Sequence, residues 1–213
     1  MIRILLADDH RMIRQGLKSL LEKQPDMKVV GEAENGRDAV SMVKDLTPDV
    51  VVMDLHMPEL NGVDATRGAL AAHASAKVIC LSAHANERMT SEILKAGASG
   101  YVLKEGAFEE LNTAIRTAIS GKVYLSPSVA GMLVNDLVRG RGEPQSVFST
   151  LSNREREVLQ LITEGKTTKE IAFNLHVSVK TAETHRRNLM EKLQIDSIAE
   201  LTKFALREGL TSL

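Results

Sequence analysis

Five side chains that could do chemistry stand at the ends of short apolar segments in the first half of the chain. Asp8 and Asp9 follow the first segment, Asp54 and Ser82 end the third and fourth, and Lys104 follows the fifth. Carboxylate oxygens are preferred ligands of Mg²⁺, and an oriented aspartate can accept a phosphoryl group as a nucleophile. An ammonium group and a hydroxyl can neutralise and hydrogen-bond the new phosphoryl oxygens. These residue types therefore predict a site that accepts a phosphoryl group on Asp54.

The segments that must position these side chains alternate between two periodicities. Short β-branched runs predict five strands, and the stretches between them predict five helices. The predicted strands are Ile2–Ala7, 28–33, Val50–Asp54, Lys77–Ser82 and Gly100–Leu103. The predicted helices lie near 11–23, 36–46, 62–73, 87–96 and 107–120. This alternation predicts an α/β fold with a five-stranded parallel sheet covered on both faces, whose strands carry function at their carboxyl ends.

Two other interpretations of the acidic residues are open. Any one aspartate could simply cap a helix or a turn, but five polar groups at the ends of four of the five predicted strands favour a shared site. A phosphohydrolase would also use an aspartate nucleophile. Such enzymes place a second carboxylate two residues after the nucleophile, where this chain has His56. We therefore predict that the protein is not an enzyme.

Composition and charge narrow the class of protein. Hydrophobic residues make up 43% of the chain and charged residues 26%, which is typical of a soluble globular protein. Its length of 213 residues is sufficient for two domains. No apolar run approaches the roughly 20 residues that cross a membrane, and Cys80 is the single cysteine. These features predict a cytoplasmic protein without a membrane association. The net charge of −1 means that DNA binding would need a local basic cluster.

A stretch rich in glycine and polar residues, 139–146, predicts a linker, although a long surface loop is the alternative. We predict a first domain over 1–121, a linker with a short helix near 128–138 over 122–148, and an all-α domain over 149–213. Capping motifs begin at Ser152, Thr167 and Ser197. The four helices predicted in the second domain lie near 153–164, 168–175, 179–193 and 197–208.

The second and third of these helices are separated by only three residues, 176–178, which suits a helix-turn-helix whose second helix enters the major groove of DNA. Glu183, Thr184 and Arg187 share one face of that helix. Arginine can donate hydrogen bonds to guanine, glutamate can accept a hydrogen bond from cytosine, and a threonine methyl can contact the thymine methyl group. An amphipathic helix with an ordinary solvated face is the alternative, and spacing alone favours neither.

Motifs in both halves resemble those of two-component response regulators of the NarL/FixJ family. In the first half the matching motifs are LADDH at 6–10, MDLHMP at 53–58, LSA at 81–83 and GYVLK at 100–104. In the second half the motifs LSNREREVL at 151–159, KEIA at 169–172, SVKTA at 178–182 and EKL at 191–193 are similar to a LuxR-type helix-turn-helix. The resemblance implies a flavodoxin-like receiver domain followed by a four-helix DNA-binding domain.

For the receiver, the resemblance implies that Asp54 is the phosphoacceptor and that a sensor histidine kinase is the donor. It implies that Mg²⁺ is held by Asp8, Asp9, Asp54 and the backbone carbonyl of His56. It further implies that Lys104 contacts the phosphoryl group and that Ser82 and Tyr101 are the switch residues. Receivers often carry proline on a cis bond after this lysine, whereas this chain has Glu105. A cis bond before another residue costs roughly 3 kcal/mol, so the resemblance leaves the local geometry open.

For the DNA-binding domain, the resemblance implies that Glu183, Thr184 and Arg187 reach base edges. Phosphate contacts position a protein on DNA without specifying the sequence. The residues expected to make them are Lys180, Thr181, Arg186 and Thr167. The implied function is a transcription factor whose phosphorylation promotes homodimerisation and sequence-specific DNA binding. The last helix offers a partner surface made of Ile198, Leu201, Thr202 and Ala205. The alternative is a factor of the same fold that a partner protein controls without phosphorylation, which the complete acidic set disfavours.

Two histidines near the acidic site carry a further hypothesis. His56 lies two residues after Asp54, and His84 lies two residues after Ser82. Both are expected to border the mouth of the site, where imidazole could exclude water and prolong the phosphorylated state. Exposed histidines with little effect are the alternative.

Overall fold

A parallel sheet of six strands forms the framework of the first half of the chain. This computed structural model describes residues 1–83, 85–106, 108–139 and 147–211. The strands are β1 (Ile2–Ala7), β2 (Met27–Ala33), β3 (Val50–Asp54), β4 (Lys77–Ser82), β5 (Gly100–Leu103) and β6 (Tyr124–Leu125). Their order is β2-β1-β3-β4-β5-β6, and every neighbouring pair is parallel. The predicted fold class is confirmed, and the two-residue β6 adds to the five predicted strands.

The register of the central strands brings the acidic residues to one edge of the sheet. All five residues of β3 are buried, as expected for a strand with both faces covered. In the ladder, Ala7 pairs with Met53 and Asp54 pairs with Leu81. Asp8, which directly follows β1, therefore lies beside the end of β3 that carries Asp54. The parallel arrangement accounts for how residues 46 positions apart share one cleft.

Five helices cover the sheet where the sequence predicted them. They are α1 (Arg11–Leu21), α2 (Gly36–Leu46), α3 (Gly62–Ala72), α4 (Glu87–Lys95) and α5 (Phe108–Ile119). Apolar residues of α1 and α5 pack with Ile4 and Val52 on one face of the sheet. Those of α2 and α3 pack with Leu5 and Val51 on the other face. The helices thus bury both faces and leave the carboxyl ends of the strands open.

The segment assigned to the linker begins with residues that belong to the sheet unit. The chain forms two compact units, Met1–Gly140 and Arg141–Leu213. In the first, helix α6 (Pro127–Arg139) follows β6, and the Ser126 N–H donates to the Tyr101 carbonyl at 3.0 Å. Val129 of α6 is 0% exposed and packs in a cluster with Tyr101 and Ile93. Of the glycine-rich stretch that predicted the linker, residues 140–146 lie outside the described residues.

This packing predicts that Val129 stabilises the first unit although it lies in the predicted linker. Val129→Ala removes two buried methyl groups and is expected to lower the free energy of unfolding by about 2 kcal/mol. The matched control is Val134→Ala, because Val134 lies on the same helix and is 56% exposed. Chemical denaturation followed by circular dichroism measures both variants. Equal stability of the two would contradict the docking of α6 on the first unit.

The second unit consists of the four predicted helices and a short 3₁₀ helix, Val147–Thr150. The helices are α7 (Asn153–Thr163), α8 (Thr168–Asn174), α9 (Val179–Leu193) and α10 (Ile198–Glu208). Ser152 and Thr167 form the predicted capping boxes with Glu155 and Glu170, which satisfies backbone donors of the first turn. Among the described residues, no helix of either unit combines the length and hydropathy that crossing a membrane requires.

The predicted partner surface on α10 is wrong for two of its four residues. Leu201 and Ala205 are 0% exposed and belong to the core of the second unit. Ile198 is 48% exposed, and the half-buried Thr202 donates its hydroxyl to the Ile198 carbonyl at 3.0 Å. The apolar stripe of a single helix indicates that something covers it, but not whether that is its own domain or a partner.

Candidate functional site

Four side chains converge where β1 and β3 end. One possible ligand atom from each of Asp8, Asp9, His10 and Asp54 lies within 4.8 Å of the others. Asp8 is 2% exposed and Asp54 is 3% exposed, whereas Asp9 and His10 are exposed. The cluster therefore runs from a buried floor to an open mouth. The sequence predicted the three aspartates, but not His10, whose Nδ1 lies 2.7 Å from Asp9 Oδ1.

Lys104 joins the two buried carboxylates. Its Nζ lies 2.8 Å from Asp8 Oδ2 and 2.8 Å from Asp54 Oδ2. The backbone N–H of Lys104 donates to the Ser82 carbonyl at 2.7 Å. This bond holds the end of β5 beside the end of β4. No cis peptide bond occurs in the described residues, so the bond between Lys104 and Glu105 is trans. The amine that the sequence placed at a strand end thus reaches the acidic residues directly.

The ionisation of this pair follows from burial and charge. Burial raises the pKa of the Asp54 carboxyl, and the neighbouring Asp8 adds to this, while the Lys104 ammonium opposes both. Burial acts to lower the pKa of Lys104, but the charge of Asp54 and the hydrogen bonds that Lys104 donates to both aspartates outweigh it and raise that pKa. Lys104 is therefore a protonated cation at neutral pH, available to balance negative charge in the cleft.

Ser82 and Tyr101 connect the acidic cleft with the sheet and α4. Both are buried, Ser82 at the end of β4 and Tyr101 within β5. Burial raises the pKa of the Tyr101 hydroxyl to about 12, against the opposing effect of hydrogen bonds with Ser82 and Thr90. The tyrosine therefore remains protonated, and its hydroxyl links Ser82 to Thr90 of α4. Thr90 was not predicted, because a threonine within a helix carries no distinctive sequence signal.

The loop after Asp54 is held close to that residue by an Asn-Gly pair. The Gly62 N–H donates to the Leu55 carbonyl at 2.8 Å, and a Cβ atom at Gly62 would lie 2.2 Å from the Asp54 carbonyl oxygen. Asn61 caps α3 by accepting from the backbone of Val63 and Asp64. Only glycine permits this approach, so Gly62 supports the position of Asp54. Gly62 was not among the predicted site residues, although asparagine followed by glycine is a recognised turn signal.

Only one of the two histidines that were expected to prolong the phosphorylated state lies within the described residues. His56 is half-buried in the loop after β3, and His84 lies outside the described residues. The hypothesis that both border the mouth of the site therefore remains a prediction.

The donor set of the cleft suits a hard divalent cation. Asp8, Asp9 and Asp54 offer carboxylate oxygens within 4.8 Å of one another, and Mg²⁺ is commonly held by one or two carboxylates with water and phosphate oxygens. The cluster could therefore hold a metal ion. A cation there and the Lys104 ammonium would both balance the charge of the aspartates.

In the second unit, α8, a turn at 176–178 and α9 form the predicted helix-turn-helix. Ser178 caps α9 by accepting from the Thr181 N–H at 3.1 Å. On α9, Ala182 and Leu189 are buried in the core, which directs the opposite face to solvent. The three predicted base readers, Glu183, Thr184 and Arg187, are exposed. Of the predicted phosphate contacts, Lys180, Thr181 and Thr167 are exposed and Arg186 is half-buried.

The side-chain hydroxyls of two threonines at this surface already donate hydrogen bonds within the protein. The Thr184 hydroxyl donates to the Lys180 carbonyl at 2.9 Å, so its methyl group is the part suited to an apolar contact. The Thr167 hydroxyl donates to Glu170 at 2.7 Å within the capping box. Thr167 stands at the start of α8, where backbone N–H groups favour anions.

An ion pair that was not among the predicted contacts joins α9 to α7. Lys192, near the end of α9, lies 2.7 Å from the Glu155 carboxylate at the start of α7. Burial raises the pKa of Glu155, but hydrogen bonds from Lys192 and Ser152 outweigh it and lower that pKa overall. This carboxylate serves both the capping box and the orientation of α9.

Comparison with known protein families identifies both halves. Residues 4–116 match the response regulator receiver domain, and residues 149–205 match the bacterial regulatory proteins of the luxR family. The chain is a response regulator of the NarL/FixJ family. It is therefore a transcriptional regulator with a receiver and a LuxR-type DNA-binding domain, and not an enzyme, as the sequence predicted.

Full-length relatives support this assignment. The transcriptional regulatory protein LiaR of Bacillus subtilis is 39% identical over 100% of both chains. The oxygen regulatory protein NreC of Staphylococcus carnosus is 38% identical over 98% of this chain and 99% of its own. Among solved structures, RcsB of Salmonella enterica serovar Typhimurium, bound to promoter rprA in the presence of phosphomimetic BeF3⁻, is 28% identical. The alignment covers 95% of this chain and 97% of RcsB with a TM-score of 0.63.

Proposed function

We propose that this response regulator controls transcription through phosphorylation of Asp54, which promotes homodimerisation and sequence-specific DNA binding. The observation that carries the proposal is the Lys104 Nζ, which lies 2.8 Å from both the buried Asp54 and the buried Asp8. A cation between two carboxylates at the open edge of a sheet suits a site that gains further negative charge. The donor is a sensor histidine kinase, as the family assignment implies.

In the transfer step, an Asp54 carboxylate oxygen forms a bond to phosphorus. The bond from phosphorus to the imidazole nitrogen of the kinase breaks, and its electron pair stays with the imidazole. The Lys104 ammonium balances the charge of the new phosphoryl group. Asp8, Asp9, Asp54 and the His56 backbone carbonyl would hold Mg²⁺, which supplies further positive charge when it is bound.

Ser82 and Tyr101 transmit the change. A phosphoryl oxygen on Asp54 competes for the Ser82 hydroxyl, which is hydrogen-bonded with Tyr101. Loss of that bond would leave a buried tyrosine hydroxyl short of a partner, which is unfavourable. The surroundings of Tyr101, including Thr90 of α4, would then rearrange. These two residues are accordingly the switch that converts phosphorylation into a change at the surface of the receiver.

On DNA, Glu183, Thr184 and Arg187 read base edges, while Lys180, Thr181, Arg186 and Thr167 contact phosphates. One recognition helix reads few base pairs, so a dimer that binds two half-sites supplies the specificity. The relative RcsB has been solved bound to a promoter in the presence of a phosphomimetic, which supports DNA binding by the phosphorylated form. We also propose that the protein acts in the cytoplasm, because its family consists of bacterial regulatory proteins and bacterial DNA lies there.

Sedimentation tests the coupling between phosphorylation and assembly. The untreated protein is expected to sediment as a monomer, and protein treated with acetyl phosphate and Mg²⁺ as a dimer with higher affinity for promoter DNA. Asp54→Asn, carried through the same treatment, is the control and should remain a monomer. The same mass before and after phosphorylation would contradict the proposal and favour control by a partner protein.

A further inference from the structure

Arg14 is a buried cation that contacts the backbone of the acidic site. It lies in α1 and is 4% exposed. Its Nη1 donates to the Asp8 carbonyl at 2.6 Å. The same guanidinium reaches Glu34 Oε1 with Nη2 at 2.5 Å and lies 3.4 Å from Glu32 Oε2 through Nε. Arg14 therefore ties Asp8, which directly follows β1, to the carboxylates of Glu32 near the end of β2 and of Glu34 just after it.

Other groups hold the Asp8 carboxylate rather than its backbone carbonyl. Its Oδ1 accepts from the His10 backbone N–H at 2.8 Å, and its Oδ2 lies 2.8 Å from the Lys104 Nζ. His10 precedes α1 but makes no side-chain capping hydrogen bond, and the first turn of α1 has no acidic residue. The Asp8 N–H donates to the Ala33 carbonyl of β2 at 3.2 Å, and the Asp8 carbonyl accepts from Arg14. The backbone N–H of Asp8 is thus fixed by β2, and its carbonyl by the Arg14 side chain of α1.

Packing alone does not account for an arginine at this position. Burying a guanidinium is costly unless charge and hydrogen bonds compensate it, and an apolar residue would fill the space between α1 and β2 without that cost. The fork of Nη1 and Nη2 joins a carbonyl to a carboxylate. A lysine ammonium keeps the charge but cannot reproduce that planar geometry.

We propose that Arg14 is a positioning residue for the metal site of the receiver. By holding the Asp8 carbonyl, it fixes the backbone that carries the Asp8 and Asp9 carboxylates and thereby contributes to the affinity for a divalent cation. Groups that orient metal ligands typically change metal affinity 10–100-fold when they are removed. This inference rests on the metal site within the proposed function.

The test compares variants of the full-length protein by calorimetric titration with Mg²⁺ and by the electron paramagnetic resonance spectrum of bound Mn²⁺. Arg14→Lys and Arg14→Met are expected to raise the Kd for Mg²⁺ by roughly 10–100-fold and to broaden the spectrum of bound Mn²⁺. Arg11→Met removes an exposed cation from the same helix and should leave the Kd nearly unchanged. Leu21→Ala removes a buried side chain at the other end of α1 and should lower stability without changing the Kd.

The controls separate positioning from charge and from stability. An unchanged Kd in Arg14→Lys overturns the inference, even where Arg14→Met fails to fold. It is also overturned if Leu21→Ala weakens Mg²⁺ binding as much as Arg14→Lys does, because general destabilisation then explains the effect. If the wild-type protein binds neither Mg²⁺ nor Mn²⁺, the proposed metal site itself fails and the role of Arg14 fails with it.

Discussion

Replacing Asp54 with asparagine is expected to abolish phosphorylation of this protein. Asp54 is buried at the end of β3, with the Lys104 Nζ 2.8 Å from its carboxylate. Asparagine keeps the shape of the side chain but lacks the anionic oxygen that attacks phosphorus. Incubation with acetyl phosphate and Mg²⁺ should add one phosphoryl group to the wild-type protein by intact mass and none to Asp54→Asn. The wild-type adduct should also be released by hydroxylamine, which cleaves acyl phosphates.

A matched control separates loss of the acceptor from loss of charge. Asp45 is an exposed aspartate on α2, so Asp45→Asn removes the same charge outside the cleft and should keep the full adduct. Lys104→Ala should fold but lose most of the adduct, because the charge of the phosphoryl group is then poorly balanced. A complete adduct on Asp54→Asn would mean that another residue is the acceptor.

Arg187→Ala and Lys180→Ala are expected to weaken DNA binding in two different ways. Arg187 is exposed on the face of α9 proposed to read bases, so its loss should cost roughly 1–3 kcal/mol and relax the preference at one base position. Lys180 is proposed to contact a phosphate. Loss of Lys180 should lower the affinity for all DNA sequences alike and reduce the slope of log affinity against log salt concentration by about 1.

Selection from a randomised site library, followed by titrations at several salt concentrations, distinguishes the two effects. Lys203→Ala is the control, because Lys203 is an exposed basic residue of α10 outside the proposed interface. It should change neither the base preference nor, by more than a small amount, the affinity. Identical behaviour of Arg187→Ala and Lys180→Ala across the library would show that the assignment of base and phosphate contacts is wrong.

Local sequence patterns determined the elements of this protein and the region of its acidic site. The apolar run of β3 requires burial on both faces, and the capping boxes at Ser152 and Thr167 mark where helices begin. Residues that follow parallel strands meet at one edge, so the convergence of Asp8 and Asp54 could be predicted without coordinates. The exposure of Arg187 likewise followed from the periodicity of one helix.

Tertiary structure decided which surfaces those elements bury. Leu201 and Ala205 form an apolar stripe that fits a partner as well as its own core, and their burial in the second unit settles the choice. Val129 lies in a segment predicted as linker, yet it packs with Tyr101. A helix pattern specifies the direction of an apolar face but not the neighbour that covers it.

The finer arrangement of the site depended on contacts between residues far apart in the chain. Arg14 reads in the sequence as an ordinary charged residue of α1, but the fold places its guanidinium 2.6 Å from the Asp8 carbonyl. Gly62 reads as a turn residue, but the return of the chain brings its Cα against the backbone of Asp54. The sequence by itself therefore determined the chemical groups and the fold that assembles them. Only the tertiary structure decided which neighbours orient those groups, because such contacts are set by the packing of whole elements and leave no local periodic signal.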